Sequence, residues 1–308
     1  MRRLAILSGP MKIFSADRFR FPLPADHRFP ESKYTLLRRL VEAAGLAARG
    51  ALVESDEADD EALALAHDPG YVRAAIDGSL PAAAWRRIGF PWSPEFAERS
   101  RRSVGGTVAA CRAALADGVA VHLAGGTHHA FRDRGEGYCV FNDAAVAARL
   151  MQAEGRAHRA VVVDCDVHQG NGTAAIFRDD PTVFTFSIHG AKNFPFHKEA
   201  SDLDVALPSG TGDAVYLEAL DTALAEALTR ARADLAIYIA GADAWEGDRL
   251  GKLALTAAGM AERDRRVFAA CPAAGLPVAV AMGGGYARDP ADTARIHLQT
   301  VLEASRLG

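Results

Sequence analysis

The chain has 308 residues, 49% apolar and 24% charged, with 35 Lys and Arg against 39 Asp and Glu and a formal net charge of -4. A chain of that size buries roughly three quarters of its unfolded surface without help from a disulfide or structural metal, which excludes a disordered tail or a peptide-sized motif. Its basic residues are dispersed rather than gathered in a stripe, against a dedicated nucleic-acid binder, and no stretch approaches the roughly 18 apolar residues of a membrane span.

In chain order, the apolar run Leu4-Ala5-Ile6-Leu7 behind two arginines stops at Ser8-Gly9-Pro10. That is too short for a secretory signal, so the chain reads as a cytoplasmic protein with no membrane partner. Pro22, Pro24 and Pro30 break up the next segment. Residues 33–48 read as a helix, 59–78 as another interrupted at Pro69, and 81–94 as a loop carrying Trp85 and Trp92, either a pocket rim or a pair of packing tryptophans. From there short β-branched runs at 120–123, 160–163, 182–186, 235–239 and 277–281 alternate with alanine-rich stretches of helical spacing at 103–116, 144–154, 216–232 and 257–270. Strands apolar on both faces and separated by helices indicate a parallel sheet covered on both sides, an α/β fold. No fixed-period repeat interrupts the pattern.

The segments after the strands carry the chemistry. Val121-His122-Leu123-Ala124 leads into Gly-Gly-Thr-His-His, Val161-Val162-Val163 into Asp-Cys-Asp-Val-His, Ile237-Tyr238-Ile239 into Ala-Gly-Ala-Asp, and Ala279-Val280-Ala281 into Met-Gly-Gly-Gly-Tyr. Open parallel sheets form their crevice at the carboxyl ends of strands. Four strands delivering ligand-type residues there imply one site, and a single domain spanning residues 1–308. Cys111, Cys139, Cys165 and Cys271 form no C-x-x-C pair and read as buried thiols.

Asp166 and His168 stand in D-x-H spacing, and Asp243 ends another strand. On an extended chain residues two apart point to the same side, so one imidazole and two carboxylates can reach one ion and leave positions open for water and substrate, as catalytic Zn²⁺ requires. Taken alone, D-x-H is also what a surface accident looks like. His128-His129 gains nothing as core; it is a solvated pair, extra metal ligation, or an acid and a base with different partners. Tyr286 behind the glycine run can donate to an oxyanion, although such turns are often only turns. Neither a Walker pattern nor a dinucleotide fingerprint is present.

Together, GGTHHAFRDRGEGYCVFND (125–143), VVVDCDVHQGNG (161–172), AGADAWEGDRLGKLAL (240–255) and GGGY (283–286) resemble the histone deacetylase superfamily, within the arginase-deacetylase fold. The QGNG and EGDRLG runs, with His27-Arg28-Phe29-Pro30 and Lys33-Tyr34 near the start, are most similar to class IV and its bacterial relatives.

The resemblance implies a three-layer sandwich with a mainly parallel sheet of roughly eight strands. It implies Asp166, His168 and Asp243 as zinc ligands, His128 and His129 as the histidine pair, Tyr286 as the catalytic tyrosine, Asp164 orienting His128 and Asn171 orienting His129. A structural monovalent cation, potassium in relatives, would be held by Asp164 and Ser187, and Gly137, Tyr138, Phe194 and Leu250 would line the acyl-lysine channel. A carboxylate partner favours imidazolium whereas an amide does not, which makes His129 the general base and His128 the cationic partner.

The expected activity is zinc-dependent hydrolysis of an acylated amine, N-ε-acyl-lysine first, with an acylpolyamine or small metabolite as alternative substrate. A non-catalytic acyl-amine binder is the alternative of another class, and a two-manganese ureohydrolase lacks its richer carboxylate set. Acyl length and oligomeric state are left open.

Overall fold

In the computed structural model residues 10–24, 27–47 and 50–307 are described, so the run Leu4 to Leu7 lies outside the described residues. Eight strands, β1 (Lys12–Ser15), β2 (Leu52–Glu54), β3 (Val119–His122), β4 (Ala160–Asp164), β5 (Val183–Gly190), β6 (Leu203–Leu207), β7 (Leu235–Ile239) and β8 (Val278–Ala281), form one sheet in the order β2-β1-β3-β8-β7-β4-β5-β6. Every pairing is parallel. Central strands such as Leu235–Ile239 are buried at every residue, as the two-sided cover of a parallel sheet demands, whereas the edge strand β6 alternates between half-buried and exposed residues up to the buried Leu207.

Alternation along each strand divides the interior in two. Val161 and Val163 face one core with Tyr216 and Leu220 of α8 (Asp213–Ala231), Val267 of α9 (Ala257–Ala273), Val301 of α10 (Pro290–Ser305) and Leu37 of α1 (Ser32–Ala43). Ala160 and Val162 face the other core, with Leu63 of α2 (Asp60–Ala64), Val72 of α3 (Pro69–Asp77), Val108 of α5 (Pro94–Asp117) and Val146 of α6 (Asp143–Ala153). The result is helix, sheet, helix, the expected three layers. All four cysteines are buried and free.

Three expectations need correction. Residues 81–94 are not all loop: α4 (Ala82–Ile88) forms there, because three alanines favour helix, Pro81 precedes the first turn where no amide hydrogen is needed, and Gly89 at φ 90° ends it. Both readings of its tryptophans hold in part, since Trp92 Nε1 donates to Ala75 O at 3.2 Å while Ile88 and Gly89 line a cavity. The first helix ends at Ala43, ahead of Gly45 at φ 75°. The strand expected over 182–186 runs on to Gly190 because it is buried throughout and pairs with strands on both sides. Strands β1, β2 and β6 and helices α7 (Asn171–Phe177) and α10 gave no sufficient periodic signal.

Candidate active site

The four strands whose ends carry the motifs, β3, β8, β7 and β4, are contiguous in the middle of the sheet. Their carboxyl ends therefore converge, and Asp166, His168 and Asp243, all buried, present one donor atom each within 4.8 Å of one another. Asp166 and His168 are not in extended chain, as the D-x-H argument assumed. The backbone bends after β4, and His168 N donates to Asp166 Oδ1 at 2.9 Å, which still puts both side chains on one point.

Asp243 Oδ2 is buried with no hydrogen bond among the described residues, although His168 Nδ1 lies 3.1 Å away out of line. Burial, with the neighbouring Asp166 charge adding to it, pushes the Asp243 carboxyl up to about 6. An orphaned buried oxygen among two carboxylates and an imidazole is the donor set a divalent cation satisfies. The group fits such an ion.

The glycine run makes this packing possible. A Cβ at Gly284 would lie 1.9 Å from Asp243 Oδ2, and one at Gly283 2.5 Å from Asp166 Oδ2. With none there, Gly284 N donates to Asp166 Oδ2 at 2.6 Å.

The histidine pair sits in the turn after β3, ring centroids 4.2 Å apart. His128 Nδ1 is 2.6 Å from Asp164 Oδ2, and His129 Nδ1 is 2.7 Å from Asn171 Oδ1. Burial pulls both imidazoles down. For His128 the carboxylates of Asp164 and Asp166 outweigh it and raise the pKa to about 9, whereas for His129 burial, with the neighbouring His128 and His168 adding to it, holds the pKa well below the usual value. The two rings thus have unlike partners, a carboxylate for His128 and an amide for His129, and their pKa values are pushed in opposite directions.

A cavity of about 330 Å³ runs to this point, lined by Gly137, Tyr138, Phe194 and Leu250, with His129, His168 and Tyr286. All four expected channel residues meet there. Phe194 packs edge-on against His129 at 4.8 Å, and Gly137, at φ 57°, leaves no room for a Cβ, which would lie 2.7 Å from His129 Cδ2. Burial, with Asp243 and Asp166 nearby, raises the Tyr286 phenol well above its ordinary value, so it keeps its proton. Asp164 and Ser187 are register partners on β4 and β5, and Ser187 Oγ lies 3.0 Å from His189 Nδ1.

Several residues escaped the sequence reading of the site. Asp143 Oδ1 and Oδ2 accept from Thr127 N at 2.7 Å and Gly126 N at 3.0 Å, fixing the turn before the histidines. Lys33, noted only as part of a resemblance, is 2% exposed, with its ammonium 5.2 Å from the Tyr286 ring centroid and 3.3 Å from Gly285 O. Glu136 bonds Asn171. A fully buried lysine or a long-range carboxylate contact leaves no mark in local spacing.

Residues 27–302 match the histone deacetylase domain. The chain belongs to the histone deacetylase family. An uncharacterised protein of Picosynechococcus sp. is 47% identical over 276 residues, covering 90% of this chain and 92% of that protein. Histone deacetylase 2 of Arabidopsis thaliana is 30% identical over 291 residues, covering 92% and 74%. Among solved structures, a histone deacetylase homologue from Aquifex aeolicus superposes with a TM-score of 0.85 at 25% identity, over 97% of this chain and 84% of that one. The eight-stranded parallel sheet is thus that of a histone deacetylase family member.

Proposed function

We propose that this histone deacetylase family member is a zinc-dependent amidohydrolase that works as a single catalytic domain and removes an acyl group from an acylated amine, N-ε-acyl-lysine first. What supports the reading is a histidine pair with unlike partners, the Asp164 carboxylate and the Asn171 amide, beside a three-donor cluster and a cavity lined by Tyr138, Phe194 and Leu250. The QGNG and EGDRLG runs favour a class IV relationship.

Asp166, His168 and Asp243 would hold the ion. What such an ion supplies when bound is Lewis acidity, toward the acyl carbonyl and toward water. His129, neutral and with Nδ1 engaged by Asn171, keeps Nε2 for the cavity; it takes the proton of the attacking water and returns it to the departing amine. His128 stays protonated against Asp164 and stabilises negative charge as it develops. Tyr286, its phenol protonated, donates to the oxyanion. The walls formed by Tyr138, Phe194 and Leu250 suit the unbranched apolar stem of an acylated lysine and keep water from it. Asp164 and Ser187 would contribute to a potassium site behind the histidine pair.

The test is hydrolysis by the zinc-loaded protein of acetyl-lysine, longer acyl-lysine and acetylpolyamine substrates, with and without a hydroxamate. Hydroxamate-sensitive turnover that falls about 10²- to 10³-fold in Tyr286→Phe while hydroxamate binding persists is the expected result. Binding with no turnover on any substrate would make the protein an acyl-amine binder instead. Preference for polyamines would move the substrate to a free amine.

A further inference from the structure

We infer that Glu136 is a positioning residue that fixes the tautomer of His129 through the side-chain amide of Asn171; the inference rests on the reading of His129 as the base. Glu136 lies between Gly135 and Gly137 in the channel wall, half-buried, with its carbonyl accepting from Cys139 N at 2.9 Å. Its Oε1 accepts from Asn171 Nδ2 at 2.6 Å, and Asn171 Oδ1 lies 2.7 Å from His129 Nδ1. Asn171 is buried, 3% exposed.

The polarity of this chain follows from what each group is able to do. A carboxylate only accepts, so Glu136 must face the amide nitrogen of Asn171. That turns the amide oxygen toward His129. A carbonyl oxygen also only accepts, so the facing ring nitrogen, Nδ1, carries the hydrogen and Nε2 keeps its lone pair for the cavity.

Without Glu136 the amide can turn over. It then offers Nδ2 to the ring, and a ring that accepts at Nδ1 carries its hydrogen on Nε2, where it cannot take a proton. His128 needs no such third member, because the Asp164 carboxylate accepts with either oxygen. An amide between Glu136 and His129 also keeps the negative charge off the ring, so the tautomer is set without making an imidazolium.

The experiment combines ¹⁵N-histidine spectra of the zinc-loaded protein with steady-state kinetics on whichever acyl-amine substrate it turns over. In the native protein His129 should show one tautomer, with Nδ1 protonated and Nε2 bare. Glu136→Leu should make the Nε2-protonated tautomer predominant and lower kcat about 10-fold, in proportion to the Nδ1-protonated fraction that remains, with KM held within about twofold. In an Asn171→Asp background the carboxylate at position 171 accepts from Nδ1 unaided, so Glu136→Leu should no longer lower kcat. A single Nδ1-protonated tautomer in Glu136→Leu overturns the inference, as does an equal loss of kcat in both backgrounds. Absence of hydrolysis by the native protein on every substrate would instead defeat the proposed activity, and the spectra would still decide the role of Glu136.

Discussion

The Asp248 carboxylate accepts the backbone amide hydrogen of Tyr286 at 2.5 Å, across a gap of 38 residues. Arg249 Nε completes the clamp from the other side, donating to Tyr286 O at 2.7 Å. The same Asp248 accepts from Leu250 N and Gly251 N through Oδ1, so one side chain ties the tyrosine to the loop carrying a channel wall. Asp248→Ala should lower kcat about 10- to 100-fold, the scale of an ångström-sized misplacement of a reacting group. Unchanged kcat on the preferred acyl-amine would show that Tyr286 is held without this clamp.

Removal and return of the metal should be visible in stability. A ligand that binds only the folded chain stabilises it by about 2.7 kcal/mol at a hundredfold excess over Kd, which for a chain of 308 residues is a rise of about 4 °C in Tm. Zinc added to chelator-stripped protein should give that rise, and His168→Ala or Asp243→Ala should abolish it. The buried, unbonded Asp243 Oδ2 motivates the expectation. A stripped protein indifferent to zinc would contradict it.

Acid should weaken the fold through His67. This buried ring has Nδ1 2.9 Å from Phe131 O, while Nε2 accepts from Asn142 N at 2.9 Å. It serves both only when neutral, and burial pulls its pKa down from 6.5 to about 4. Between those values the unfolded chain binds the proton and the folded chain does not, so the stabilising difference is complete above pH 6.5 and declines as pH falls toward 4, at about 1 kcal/mol per pH unit. Urea midpoints between pH 7 and 5 should fall more steeply in the native protein than in His67→Gln. Parallel slopes would remove His67 from the account.

Beneath the Asp166, His168 and Asp243 cluster, Arg263 is 0% exposed and donates from Nη1 to Gly241 O at 2.6 Å and Cys165 O at 3.2 Å, and from Nε to Asp264 Oδ1 at 2.9 Å. It joins the two chain segments that lead to Asp243 and Asp166. Arg263→Met leaves Asp264 without its cation and should cost about 3–5 kcal/mol. The double variant with Asp264→Leu should recover part of that, because the orphaned charge is gone. Equal denaturation midpoints for native and Arg263→Met would show that the pair is dispensable.

Much of this arrangement was legible in the residues themselves. Strand-end motifs carry their meaning locally, so the convergence of Asp166, His168, Asp243, His128, His129 and Tyr286 follows once four apolar strands are recognised as neighbours in a parallel sheet. The pairing of His128 with Asp164 and of His129 with Asn171 came through the family resemblance, not from local spacing, and the structure brings both pairs within hydrogen-bond distance. What stayed hidden is long-range or weakly periodic. β2 is three residues long and β6 is half-exposed, too little pattern to detect. Arg263, Lys33 and Asp248 look like ordinary helix and loop residues, and only the fold reveals their buried partners. α4 was obscured by the prolines that flank it.

The adjacency of β3, β8, β7 and β4 has a bearing on how the protein is made. β8 is inserted between β3, synthesised much earlier, and β7, the strand just before it in the chain. A nascent chain on the ribosome therefore holds a split sheet until its eighth strand emerges and closes the seam. A fragment that ends before β8 lacks Tyr286 and so cannot enclose the complete pocket.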